Sequence, residues 1–260
     1  MAELTPMMQQ YFEIKNKNKD YILFYRLGDF YEMFFDDAKL VSRELELTLT
    51  GRDCGQGERA PMCGVPYHSA EGYIAKLVQK GYKIAICEQM EDPKKAKGLV
   101  KREIIRRVTP GTVVEASMLD ENRNNFLGCV YAAGGSVGVC FADITTGSVY
   151  ATGSDNWNDI TSEFGRFAPR EVLVGGGAIS AGSLQSFLKE RLEALIEPMP
   201  EECFEAQRSA ERIQEHFKVQ DFDAAGLTDL PCTVQCLGGL LDYLEQTQKA
   251  SLSSLNQLQV

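Results

Sequence analysis

No apolar run in this 260-residue chain reaches the roughly 18 residues that a membrane-spanning helix needs. Its opening residues, Met1-Ala2-Glu3-Leu4-Thr5-Pro6, have neither the basic nor the apolar region of a secretory signal. Together these absences predict a soluble, cytoplasmic protein. No Gly-x4-Gly-Lys-Ser/Thr loop is present to cradle a nucleotide phosphate. Eight cysteines are scattered through the chain, and the nearest approach to a metal motif, Cys232-x3-Cys236, has no second pair and no histidine at ligand spacing. They read as small buried hydrophobes rather than as a disulfide framework or a zinc site. Positive charge is scarce in one half: residues 1–115 hold 18 Lys and Arg against 17 Asp and Glu, residues 116–260 only 9 against 20. Despite an overall charge of −10, the first half is therefore the plausible neighbour of phosphates.

Within that half, Lys94, Lys95, Lys97, Lys101, Arg102, Arg106 and Arg107 crowd a short stretch whose one acid is Glu103. A solvated strand edge and loop would account for such a run, and so would a phosphate-facing surface. The spacing predicts a helix over Pro6 to Lys17, a strand over Tyr21 to Tyr25, and a helix after Gly28 with Asp29 as N-cap, because Tyr31, Phe34, Phe35, Ala38, Ser42 and Leu45 recur at helical intervals. A helix from Ser69 to Gly81, strands at Tyr82 to Cys87 and Glu103 to Val108, and a type II turn centred on Pro110-Gly111 complete a small mixed α/β domain over 1–115. Residues 116–125 read as a polar linker. Over 126–245, three strand-like runs joined by glycine-rich turns precede alternating helix and strand, including a helix carrying Leu184, Phe187, Leu188 and Leu195. That is the element order of a ribonuclease-H-like α/β domain.

One stretch, Arg26-Leu27-Gly28-Asp29-Phe30-Tyr31-Glu32-Met33-Phe34-Phe35-Asp36-Asp37, combines four aromatic with four acidic residues. On a helix, Phe30 and Glu32 would each fall about a quarter-turn off the apolar face, as a rim aromatic and a first-turn acid. If the backbone is still extended there, the two side chains emerge on the same side, a ring beside a carboxylate.

Gly28-Asp29-Phe30-Tyr31-Glu32-Met33-Phe34 resembles the Phe-x-Glu motif of the MutS family of DNA mismatch-recognition proteins. Thr5-Pro6-Met7-Met8-Gln9-Gln10-Tyr11, Pro61-Met62-Cys63-Gly64-Val65-Pro66-Tyr67-His68, Ile86-Cys87-Glu88-Gln89 and Arg107-Val108-Thr109-Pro110-Gly111-Thr112 resemble other segments of the same N-terminal domain, in order. Phe141-Ala142-Asp143-Ile144-Thr145-Thr146-Gly147 resembles the family's connector domain. The resemblance implies a mismatch-recognition domain at 1–115 and a ribonuclease-H-like connector at 126–245, with 246–260 starting the passage to lever and core domains. It implies an N-terminal fragment without its own cofactor or catalysis, the family's ATPase, with ATP and magnesium, lying in a C-terminal region.

By the same resemblance Phe30 wedges beside a mispaired base in duplex DNA and Glu32 hydrogen-bonds to it. The implied partners are mismatched double-stranded DNA, MutL through the connector, and a second copy in the full-length homodimer, the fragment itself being monomeric. A bacterial, nucleoid-associated location when bound to DNA follows too. Arg52, placed in the loop after the first helix, Lys97 and Arg102 are the candidate phosphate contacts; Tyr67 and His68 are expected to shape a turn. Two rival readings are a module that binds only proteins and a magnesium-dependent nuclease built around Asp143. The nuclease would need further acids converging on Asp143, whereas the Asp-Ile-Thr-Thr-Gly segment makes a hairpin turn more simply.

Overall fold

The computed structural model describes residues 4–55, 57, 59–91, 98–115, 118–119, 123–248 and 252–260. They form two compact units, Met1–Thr109 and Pro110–Val260. No helix among the described residues is long and apolar enough to cross a membrane.

The first unit opens with α1 (Pro6–Asn16), where Pro6 occupies the first turn and Thr5 Oγ1 accepts the Met8 N–H. Strands β1 (Ile22–Leu27) and β2 (Phe30–Phe34) follow, then α2 (Phe35–Leu45), β3 (Thr50–Asp53), β4 (Arg59–Pro66), α3 (Ala70–Gln79), β5 (Ile84–Gln89) and β6 (Arg102–Val108). The sheet order is β3-β4-β2-β1-β5-β6, and only β1 and β5 run parallel. On one face Leu23, Tyr25, Phe34, Ala85 and Cys87 pack beneath Met8 and Tyr11 of α1. On the other lies α2, its Ala38 carbonyl accepting from the Cys63 thiol at 3.5 Å.

The helix expected to start after Gly28 is here a strand. β2 pairs with β1 through Leu27↔Phe30, Arg26↔Tyr31 and Tyr25↔Glu32, so Gly28 and Asp29 form a two-residue hairpin turn and Asp29 caps nothing. Only the first of the two has positive φ, +58° at Gly28, the pattern of a type II′ turn. The helix begins five residues later, at Phe35, whose φ of +53° carries the chain sharply from strand to helix. Such a conformation is strained for a bulky residue. Packing of its ring against Phe12, with centroids 5.1 Å apart, holds it there. Strands β3 and β4 were not anticipated. Ser69 precedes α3 as expected, but its hydroxyl donates back to the Pro66 carbonyl rather than capping the helix.

In the second unit β7 (Phe126–Ala133), β8 (Ser136–Asp143) and β9 (Ser148–Ser154) form an antiparallel meander. After α4 (Trp157–Phe167), β10 (Glu171–Gly176) joins β7 in parallel. The next helix, α5 (Gly182–Ser186), runs into a π turn ending at Arg191. Leu195, expected on that helix, instead opens β11 (Leu195–Pro198), parallel to β10. Helices α6 (Ala206–Phe217) and α7 (Pro231–Thr247) follow, and β12 (Gln257–Gln259) lies parallel to β9. Residues expected to start a passage out of the domain thus contribute to its sheet, of order β11-β10-β7-β8-β9-β12. A three-strand meander extended beyond its first strand by two successive strands parallel to it, β10 and then β11, is the ribonuclease-H-like arrangement. One face packs on α7, the other on α4.

Gly111 does not adopt the positive φ of a type II turn. Its lack of a side chain serves proximity instead: a Cβ there would stand 2.9 Å from Cβ of Glu171. Its N–H donates to Glu171 Oε2 at 2.8 Å, while the Tyr243 hydroxyl donates to Oε1 at 2.6 Å, so this fully buried carboxylate is satisfied from two sides.

Two glycine substitutions separate conformational strain from collision. At Gly28 a Cβ would meet nothing within 4 Å, so Gly28→Ala should lower stability by only about 1–3 kcal/mol, the strain of the turn. At Gly138 a Cβ would lie 2.3 Å from the backbone oxygen of Cys232, so Gly138→Ala must push α7 off the sheet. Urea unfolding should show the second variant to be the more damaged.

Candidate nucleic-acid interface

Because β2 is extended, Phe30, Glu32 and Phe34 share one face of the sheet. α1 covers only part of that face. Phe34 lies under it and is fully buried, whereas Phe30, at the turn end, leaves 45% of its surface in solvent. Tyr31 and Met33 point the other way and are buried. The result is an aromatic ring standing free beside a carboxylate, the extended alternative among the two readings of this stretch.

Gly64 of β4 lies directly across from Glu32. With no side chain at Gly64, the Glu32 carboxylate can reach over β4 to Arg52 on β3, where Oε2 accepts from Nη1 at 2.7 Å. A Cβ on Gly64 would press on the Tyr31 carbonyl oxygen at 3.3 Å and lie in ordinary contact with Cγ of Glu32 at 3.4 Å and the Phe30 ring at 3.8 Å, and anything longer would stand in the path of the Glu32 side chain. Arg52 therefore sits in a strand rather than a loop, and its guanidinium is engaged by Glu32 while 40% of its side chain remains exposed. No sequence signal marked Gly64 or this ion pair, since both depend on the pairing of β3 with β4.

Arg102 turns inward. It is buried, donates from Nε to the Arg26 carbonyl at 2.8 Å and from Nη1 to Gln10 Oε1 and the Val100 carbonyl, and lies 4.9 Å over the Tyr25 ring. Its work is to tie α1 to the sheet, and a side chain so enclosed cannot meet a phosphate. Lys97, with Lys94 and Lys95, lies outside the described residues. Lys101 is paired with Glu103 at 2.7 Å, and Arg107 donates to Asn18 Oδ1 at 2.9 Å. Tyr67 and His68 form a 3-10 turn, as anticipated, and the Tyr67 N–H donates to the Asp29 carbonyl, bracing the β1–β2 turn. On the face opposite Phe30, Arg26 stacks 3.6 Å over the Tyr67 ring.

In the second unit Asp143 is buried. Its Oδ1 accepts from the Thr145 N–H at 2.9 Å and the Thr145 hydroxyl at 2.6 Å, and its carbonyl accepts from the Gly147 N–H. That is the hairpin turn expected of the segment. Among the described residues no group of metal-ligating side chains includes Asp143.

The sequence profile of MutS domain I matches residues 5–117, and that of MutS domain II matches residues 125–258. The chain belongs to the MutS family. Among its relatives are two named DNA mismatch repair protein MutS. The one from Lachnoclostridium phytofermentans is 51% identical over 99% of this chain, and the one from Acetivibrio thermocellus 50% identical over all of it. The chain spans only 28% and 30% of their respective lengths. A third MutS, from Alkaliphilus metalliredigens, is 44% identical over the whole chain.

The placement of the two aromatic rings of β2 can be tested without DNA. Phe34→Ala should destabilise by about 3–5 kcal/mol, as for a packed core phenylalanine, while Phe30→Ala should stay within about 0.5 kcal/mol of the parent chain. Arg102→Ala, which removes three hydrogen bonds from a charged donor to part-buried acceptors, should cost about 1–3 kcal/mol. Denaturant melts of the three variants measure all of this.

Proposed function

We propose that the first unit recognises mispaired or unpaired bases in duplex DNA, with Phe30 entering the minor groove beside the weak pair and Glu32 hydrogen-bonding to the base. The observation that carries this reading is the exposed Phe30 ring at the open end of a sheet face, two residues from a carboxylate held in place by Arg52. Wedging a ring between base steps costs a few kcal/mol of unstacking and kinks the duplex by roughly 20–90°. Elastic bending adds on the order of 1–6 kcal/mol. A mispaired base is already poorly stacked, so its share of that cost is smaller, and discrimination comes from deformability rather than from base sequence.

The ion pair refines the part played by Glu32. An isolated carboxylate would be repelled by phosphates, but Arg52 offsets that repulsion and spends its own charge in doing so. When Glu32 engages a base, Arg52 becomes available to a neighbouring phosphate. In matched duplex the pair stays closed and neither contact forms, which widens the gap between the two substrates.

The second unit is the connector in this reading. It relays state to the rest of a longer protein and helps dock MutL. The support is charge, since residues 116–260 hold 9 basic against 20 acidic side chains, a surface better suited to protein than to DNA.

Fluorescence anisotropy of this chain on mismatched and matched duplexes at several salt concentrations tests the first unit's role. Binding should be weak, salt-sensitive and tighter on the mismatch. Phe30→Ala should bring mismatch affinity down to the matched level. Glu32→Ala should raise matched-duplex affinity and steepen the slope of log K against log[salt] by roughly 0.9, one additional phosphate contact made by the released Arg52. Full mismatch preference in Phe30→Ala would refute the wedge.

A further inference from the structure

Cys129, Cys140 and Cys236 bring three sulfurs within 4.8 Å of one another in the core between the second sheet and α7, and all three are fully buried. Cys129 and Cys140 face each other directly across β7 and β8, so both side chains leave the sheet on one face. Cys236 meets them from α7, its sulfur 3.3 Å from that of Cys140. Glycines set this distance: Cβ atoms at Gly138 and Gly153 would collide with the backbone of Cys232 and the hydroxyl of Thr233 on α7. Hydrocarbon makes up much of the surroundings, including Leu127, Ala142, Leu237 and Leu240. Cys232, half of the only spacing that suggested a metal, is not in the group and donates its thiol to the Ala133 carbonyl.

The geometry selects an occupant. A structural zinc ion is held by four ligands, and this group, among the described residues, offers three in a place with no exposure to water. A dication on three thiolates would also leave a net negative charge in an apolar core, which carries a large desolvation penalty. A trivalent thiophilic centre on three thiolates is neutral, and a pyramidal three-sulfur shell completes its coordination. Soft thiolates favour such a centre.

We propose that Cys129, Cys140 and Cys236 form a binding site for trivalent arsenic. Arsenous acid, As(OH)3, would exchange its three hydroxyls for the three thiolates. Three As–O bonds break and three As–S bonds form, each thiol proton leaves with a hydroxyl as water, and arsenic stays trivalent with no oxidant or reductant involved. Entry requires α7 to part locally from the sheet, an opening short of global unfolding. Once bound, arsenic ties α7 to β7 and β8, and stability rises with arsenite concentration through mass action.

The test uses the reduced chain with arsenite as the probe. Native mass spectrometry should show a gain of one arsenic and a loss of three hydrogens per chain, and Tm should climb with arsenite concentration. Cys129→Ala, Cys140→Ala and Cys236→Ala, each checked for folding by circular dichroism, should lose the Tm shift, while Cys232→Ala should keep it. In the parent chain, where most of the eight cysteines are buried, rapid alkylation on transfer into denaturant, followed by peptide mapping, should find Cys129, Cys140 and Cys236 modified more slowly when arsenite was bound than when it was not, with the other five unchanged, a readout that stands even if a variant fails to fold. No retained arsenic after refolding in arsenite, protection spread over other cysteines, or an undiminished Tm shift in Cys236→Ala would each overturn the proposal.

Discussion

A two-residue turn, Gly28 and Asp29, sets which side of the first sheet each residue of β2 faces, and the candidate interface depends on that parity. With Leu27 opposite Phe30, the residues at 30, 32 and 34 share the face partly covered by α1, and Tyr31 and Met33 share the face beneath α2. A slip of one residue would invert the arrangement, burying Phe30 and turning the Tyr31 hydroxyl, which donates to Glu88, away from its partner. The Tyr67 N–H closes on the Asp29 carbonyl from outside, so the turn is held by the chain as well as by the conformational freedom of glycine.

In both units missing side chains create the geometry that matters. Gly64 leaves a gap through which Glu32 spans β4 to Arg52, joining two strands that are not neighbours. Gly138 and Gly153 let α7 lie close against β8 and β9, which is why sulfurs from three separate elements converge. Dispersion and burial supply the attraction in each case, but the distance is set by where hydrogen replaces a methyl group.

The meander, α4 and β10 of the second unit were readable from sequence because glycine-containing turns separate its apolar runs and α4 is amphipathic, whereas β11 and β12, short strands whose pairing is set by partners distant in sequence, were not. The first unit was harder at the point of interest. Phe34 and Phe35 are adjacent apolar residues serving different elements, one ending a strand under α1 and the other starting α2. The true helical spacing of Phe35, Ala38 and Leu45 therefore extends falsely back to Tyr31. Strands β3 and β4 escaped notice because Pro61, Gly64 and Pro66 lie in β4, and composition penalises such residues where pairing tolerates them. Phe30 and Glu32 could be singled out as lying off the apolar stripe. The inward turn of Arg102 could not be foreseen, because its acceptors, Gln10 and the Arg26 carbonyl, are distant in sequence. The same separation hid the cysteines, whose meeting depends on strand register and helix placement.

The last strand, β12, is only three residues long, yet it occupies the outer edge of seven-residue β9. The approach to it is equally constrained: Gly147 has φ of +79° and would place a Cβ 2.1 Å from the Ser254 carbonyl oxygen. An unpaired strand of that length offers a row of open donors and acceptors to any passing chain. A version of the protein trimmed before residue 255 would bare that row while keeping most of its core, so its failure would be intermolecular, seen as self-association at high concentration rather than as loss of secondary structure.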